Sequence, residues 1–80
     1  MSLRDKQDST FNRVLGDRLK AARLAAGLTQ AEAAVALDCT LGHLSKYEAG
    51  IHPVKAADLA RLAQRYGTVA SELLYGLKVK

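Results

Sequence analysis

The side chains with the most reactive chemistry are Cys39, His43 and His52, arranged as Cys-x3-His-x8-His. Thiolate and imidazole donors can hold a transition metal, and a Cys beside a His can form an activated nucleophile. Either chemistry requires the side chains to converge on one point. A different chemistry attaches to Thr29-Gln30, which stands where a helix begins, because free amides and the positive dipole end of a first helical turn favour a phosphate. Long-range electrostatics point the same way. Twelve Lys and Arg against eight Asp and Glu give a formal net charge of +4, a basic excess suited to a polyanionic partner. The sequence offers no strand pattern and no Gly-rich loop of the kind that follows a strand to cradle phosphates.

These residues need elements to position them. The 80 residues set one domain, since a chain this short buries only about 60 to 65% of its unfolded surface. Abundant Ala and Leu with 5% aromatics favour packed short helices, an all-α fold. Residues 1–9 are polar, carry charges of both signs and lack apolar periodicity, which predicts a flexible arm leading to a helix N-cap at Ser9 or Thr10. The domain then spans 10–76, with a tail at 77–80. In helix 1, Val14 or Leu15, Leu19 and Ala22 form an apolar stripe, and Gly27 ends the helix. Thr29-Gln30-Ala31-Glu32 is a capping box that opens helix 2 at Gln30. Helix 2 runs to Leu37, Asp38-Cys39 connects, and Thr40 caps helix 3, which Gly50 and Pro53 close. Helix 4, about 54–66, places Ala56, Leu59, Leu62, Ala63 and Tyr66 on one face. A last short helix, about 69–75, presents Ala70, Leu73 and Leu74.

Counted from Gln30, small or apolar residues fall at the fifth (Ala34), eighth (Leu37), tenth (Cys39), fifteenth (Leu44) and eighteenth (Tyr47) positions. That is the requirement of a helix-turn-helix, in which two helices crossing at about 90 to 120° need a small residue at closest approach and apolar residues in the wedge. Asp38, the first turn residue, tolerates the left-handed backbone such a turn requires. The same arrangement puts Cys39 inside and His43 outside, so neither a metal centre nor a Cys-His nucleophile is expected. No catalytic site, metal or other cofactor is expected.

Leu28-Thr29-Gln30, Leu44-Ser45-Lys46-Tyr47-Glu48-Ala49-Gly50 and Ala60-Arg61-Leu62-Ala63 resemble the Cro/CI-type helix-turn-helix family, the lambda-repressor-like or Xre-type regulators. The resemblance covers about residues 15–74 and implies a five-helix DNA-binding domain with a central helix-turn-helix. It implies a structural pair between Arg23 and Glu48, physically a clamp between helix 1 and the recognition helix. It also implies that helix 3, about 40–49, enters the major groove, with Thr40, Leu41, Gly42, His43, Ser45 and Lys46 as the exposed base-reading set. Lys46 can donate to guanine, Ser45 can serve donor or acceptor sites, and Leu41 can touch a thymine methyl or instead a protein partner. The family more often carries polar Gln and Arg at the positions of Leu41 and Gly42, which leaves room for readout of DNA shape. Gln30 resembles the family's phosphate-binding glutamine. Thr29 either shares that role or only caps, and His52 either reaches the DNA backbone or is a solvated turn residue. Arg13, Arg18 and Lys20 read mainly as the wet face of helix 1.

A single recognition helix reads only a few base pairs, so a homodimer on half-sites about 34 Å apart is expected. The family's dimer surface lies near the C-terminal helix, where Ala70, Leu74, Tyr75, Leu77 and Val79 could supply it; the monomer core competes for Leu73 and Leu74. The reading is a transcriptional regulator, a repressor, acting on double-stranded DNA. The alternative is a protein-interaction module, such as an antitoxin whose main partner is a toxin or protease. A lone cysteine, no apolar run of the roughly 18 to 20 residues that span a membrane, and a polar N-terminus suggest a cytoplasmic protein without a membrane partner.

Overall fold

In a computed structural model, which describes residues 3–77, the chain forms five helices: α1 (Leu3–Ala25), α2 (Gln30–Leu37), α3 (Leu41–Glu48), α4 (Ala56–Tyr66) and α5 (Ala70–Leu74). Among the described residues there is no strand. α3 packs on α1 and α2, α2 also packs on α4, and α5 closes the bundle against α1 and α4. The core is where these faces meet. Leu15 and Leu19 of α1, Ala33, Ala34 and Leu37 of α2, Leu44 and Tyr47 of α3, Leu59, Leu62, Ala63 and Tyr66 of α4, and Leu73 of α5 are all buried. Leu28, between α1 and α2, joins them. Helices of eight residues are marginal alone, so burial of these faces is what stabilises α2 and α3.

Local signals set the boundaries of the bihelical unit. At the start of α2, Thr29 Oγ1 accepts from the Glu32 amide at 3.1 Å. Glu32 Oε1 accepts in return from the Thr29 amide at 2.9 Å. Each bond satisfies an amide that a helix start would otherwise leave bare. Asp38 ends α2 in the left-handed region, φ 54° and ψ 46°, and Thr40 Oγ1 caps α3 by accepting from the His43 amide at 3.1 Å. The left-handed Asp38 and the Thr40 cap thus fix where α2 stops and α3 starts.

Three expectations need correction. α1 starts at Leu3, so 3–9 is helical and not an arm before a cap at Ser9 or Thr10. Missing apolar periodicity argues against burial of a segment, not against helicity, and residues 3–9 contain neither Gly nor Pro to break a helix. α4 begins at Ala56, two residues later than expected, because Val54 and Lys55 follow Pro53 and Lys55 stays extended at ψ 145°. Ala56 accordingly lies exposed on the first turn and not on the buried face.

Candidate nucleic-acid interface

The inner face of α3 is fixed by a polar network that reaches three neighbouring segments. Arg23, in the last turn of α1, donates from Nε to Glu48 Oε2 at 2.7 Å and from Nη2 to Glu48 Oε1 at 3.1 Å. This is a two-point fork of the planar guanidinium on a carboxylate, which fixes direction as well as distance. The remaining arm, Nη1, donates to the Leu28 carbonyl at 2.8 Å, so the same side chain also fastens the turn that leads into α2. Arg23 and Glu48 are both buried. Hydrogen bonding to Glu48 raises the Arg23 pKa above its ordinary value, against the opposing effect of burial. Gln30 completes the group, its Nε2 donating to Glu48 Oε1 at 3.0 Å.

Two further contacts seat α3. The Tyr47 hydroxyl donates to Asp58 Oδ2 at 2.5 Å, joining α3 to the first turn of α4. Burial and this bond push the Tyr47 pKa up to about 12. The other contact is steric. A Cβ on Gly16 of α1 would lie 2.5 Å from the Glu48 carbonyl oxygen and 2.6 Å from that of Tyr47. Only a glycine lets the two backbones approach so closely. Gly50, at φ +75°, repeats the device one turn away, since a Cβ there would meet the Arg13 backbone at 2.7 Å.

The outer face of α3 is open. Thr40, Leu41, Gly42 and Lys46 are exposed, with Leu41 at 51%. His43 and Ser45, expected on that exposed set, are half-buried. The His43 ring meets Tyr47 edge-on with centroids 4.6 Å apart, and the His52 ring lies tilted to it at 6.1 Å. Thr29 is exposed at the start of α2, while Gln30 and His52 are half-buried. The positions singled out for DNA contact thus divide into an open strip and flanking residues held by neighbours.

The Cys39 thiol bonds its neighbour's carbonyl, that of Thr40, at 3.5 Å, and burial pushes its pKa up, which disfavours the thiolate that a nucleophile or metal ligand requires. Among the described residues, no three His, Cys, Asp or Glu side chains are gathered to hold a metal.

At the other end of the bundle, Arg18 donates from Nη1 to the Leu73 carbonyl at 3.1 Å and to the Tyr75 carbonyl. A cation there compensates the bare carbonyls at the end of α5. Arg18 therefore leaves the wet face of α1, whereas Arg13 and Lys20 remain exposed on it. Of the expected dimer residues, Ala70, Leu74 and Leu77 pack partly against the core. Tyr75 is 80% exposed with Val69 nearby in sequence at 57%; Val79 lies outside the described residues.

Sequence reasoning missed Gly16, Asp58 and the Gln30 to Glu48 bond. For Asp58 the only signal was a carboxylate in a helix's first turn, where many are unpaired. Gly16 was visible as a glycine inside an otherwise regular helix, a position that costs about 1 kcal/mol relative to Ala unless something needs the space.

Residues 14–74 match the family model of the helix-turn-helix domain. The chain belongs to this family. A helix-turn-helix is a DNA-binding unit. No curated protein matches the chain. No helix among the described residues is long and apolar enough to cross a membrane.

Proposed function

We propose that the chain is a sequence-specific transcriptional regulator of the Cro/CI or Xre type, a repressor that places α3 in the major groove as a homodimer. The observation that carries this reading is the asymmetry of α3. Its inner face is held by Arg23, Gln30 and Asp58, while its outer face offers Thr40, Leu41, Gly42 and Lys46 to solvent. A helix so braced can present side chains to base edges without losing its own packing. Lys46 is the donor for guanine, and Leu41 the apolar contact for a thymine methyl. Ser45 and His43, being half-buried, serve at the edges of the strip. Thr29, Gln30 and His52 flank it as phosphate contacts.

Dimerisation uses the α5 end, where Tyr75 and Val69 are the exposed apolar side chains. Ala70, Leu74 and Leu77, partly held by the core, contribute their remaining surface. A cytoplasmic site of action follows from the partner. The test is the salt dependence of binding to operator DNA. If a dimer neutralises about ten phosphates, log affinity falls against log salt with a slope near −9. A salt-insensitive interaction, with a protein as the tighter ligand, would favour the interaction-module alternative.

A further inference from the structure

Away from α3, the seam between α2 and α4 opens into a cleft of about 800 Å³, lined by Glu32, Val35, Ala36, Arg61, Gln64 and Arg65. One face of each helix supplies the lining, since residues three and four apart are neighbours on a helix surface. The short side chains of Val35 and Ala36 leave the space unfilled, and Val35 is 79% exposed. From the same two helices the core takes Ala33, Ala34, Leu37, Leu59, Leu62, Ala63 and Tyr66. Folding therefore uses neither Val35 nor the two arginines. The charges of the cleft are also unbalanced. Glu32 accepts from the Thr29 amide at 2.9 Å, and its pKa is lowered by hydrogen bonding with Thr29 and further by Arg65. Arg61 has no such neighbour: among the described residues it forms no hydrogen bond or ion pair. The helix dipole favours Arg65 in the last turn of α4. Arg61, in mid-helix, gains nothing from it.

We propose that this cleft docks a short acidic segment of a partner protein, with an aliphatic side chain on Val35 and Ala36 and flanking carboxylates on Arg61 and Arg65. Guanidinium groups take carboxylates in two-point forks, and arginines one helical turn apart match carboxylates spaced by about 5 to 6 Å. Duplex DNA fits the cleft less well. A phosphate chain has no aliphatic group for Val35 and would meet the Glu32 carboxylate. None of the lining residues belongs to α3, so occupancy of the cleft does not depend on the DNA-binding reading. So small a footprint makes the complex weak and transient.

The test is an NMR titration of the isotope-labelled full chain with short synthetic peptides that carry a leucine between glutamates. Saturable amide shifts are expected to cluster at 32–36 and 61–65 and to spare α3. Exchanging the peptide's glutamates for glutamines is expected to weaken binding about tenfold, the combined effect of two exposed ion pairs. Arg61→Gln with Arg65→Gln in the chain should do the same, with a melting temperature that stays near the native one because both side chains are exposed. Exchanging the peptide's leucine for alanine probes the Val35 contact on the native chain and is expected to weaken binding severalfold. No saturable shift, equal binding of the glutamate and glutamine peptides, or shifts centred outside the cleft would overturn the proposal. Stronger shifts of the same residues with random duplex DNA would overturn it in favour of a phosphate contact. Shifts that grow with the chain's own concentration would overturn it in favour of an interface between copies.

Discussion

Replacing Gly16 by Ala isolates the contact that sets the height of α3 over α1. The added methyl would stand 2.5, 2.6 and 2.9 Å from the Glu48 oxygen, the Tyr47 oxygen and the Glu48 carbonyl carbon, all of them backbone. Ordinary carbon contacts begin at about 3.5 Å, so the helices must separate by close to 1 Å. No side chain is available to swing aside. Overpacking of this kind costs typically about 1 to 3 kcal/mol, and the upper end applies where backbone must move. Alanine recovers about 1 kcal/mol of helix propensity, leaving a net loss of about 2 kcal/mol. For a domain of this size that lowers the melting temperature by about 8 to 16 °C. Gly42 supplies the control, because it lies inside α3 with nothing within 4 Å of an added Cβ. Gly42→Ala is expected to stabilise by up to about 1 kcal/mol. Urea unfolding of both variants measures the difference. Equal shifts in the two midpoints, or a Gly16→Ala midpoint at or above that of the native chain, at unchanged m would refute the close-approach argument.

Breaking the buried fork by Arg23→Ala leaves Glu48 buried without its main partner and is expected to cost about 3 to 5 kcal/mol, whereas joint replacement of Arg23 and Glu48 by Met and Leu costs much less. Chemical denaturation of the two variants beside the native chain checks the order. In alkali, Tyr47 and Tyr66, both raised from 10 to about 12 mainly by burial, ionise more readily in the unfolded chain. Their contribution to stability is complete below pH 10 and is lost as pH rises through 12, so unfolding midpoints fall across that window. Phe at both positions should flatten the fall. The buried Tyr66 hydroxyl finds no hydrogen-bond partner among the described residues; Tyr66→Phe should therefore stay within about 1 kcal/mol of the native chain, and a larger loss in a thermal melt would reveal a partner for the hydroxyl.

The parts of the fold that were legible in the sequence are those encoded within a few residues. The Thr29 to Glu32 box, the left-handed Asp38 and the cap at Thr40 each depend on neighbours three or fewer positions away. The wedge of Ala34, Leu37, Leu44 and Tyr47 follows from helical spacing, and all four are buried. What sequence could not convey is which polar atoms meet across the bundle. Arg18 reaches the end of α5 over 55 residues, and Tyr47 finds Asp58 on a different helix. Such contacts depend on how helices cross, not on any local pattern. The start of α1 failed for another reason: helicity there leaves no apolar period in the sequence to read.

Selection of bound fragments from random double-stranded DNA is the most direct test of the central claim that α3 reads sequence. The account predicts enrichment of a short motif repeated with two-fold symmetry, its half-sites about 34 Å apart. It predicts further that Lys46→Ala relaxes the preference at one position of each half-site, by about 1 to 3 kcal/mol. Recovery of fragments with no shared motif, or of an enriched motif that is unchanged by substitutions at Leu41 and Lys46, would contradict it.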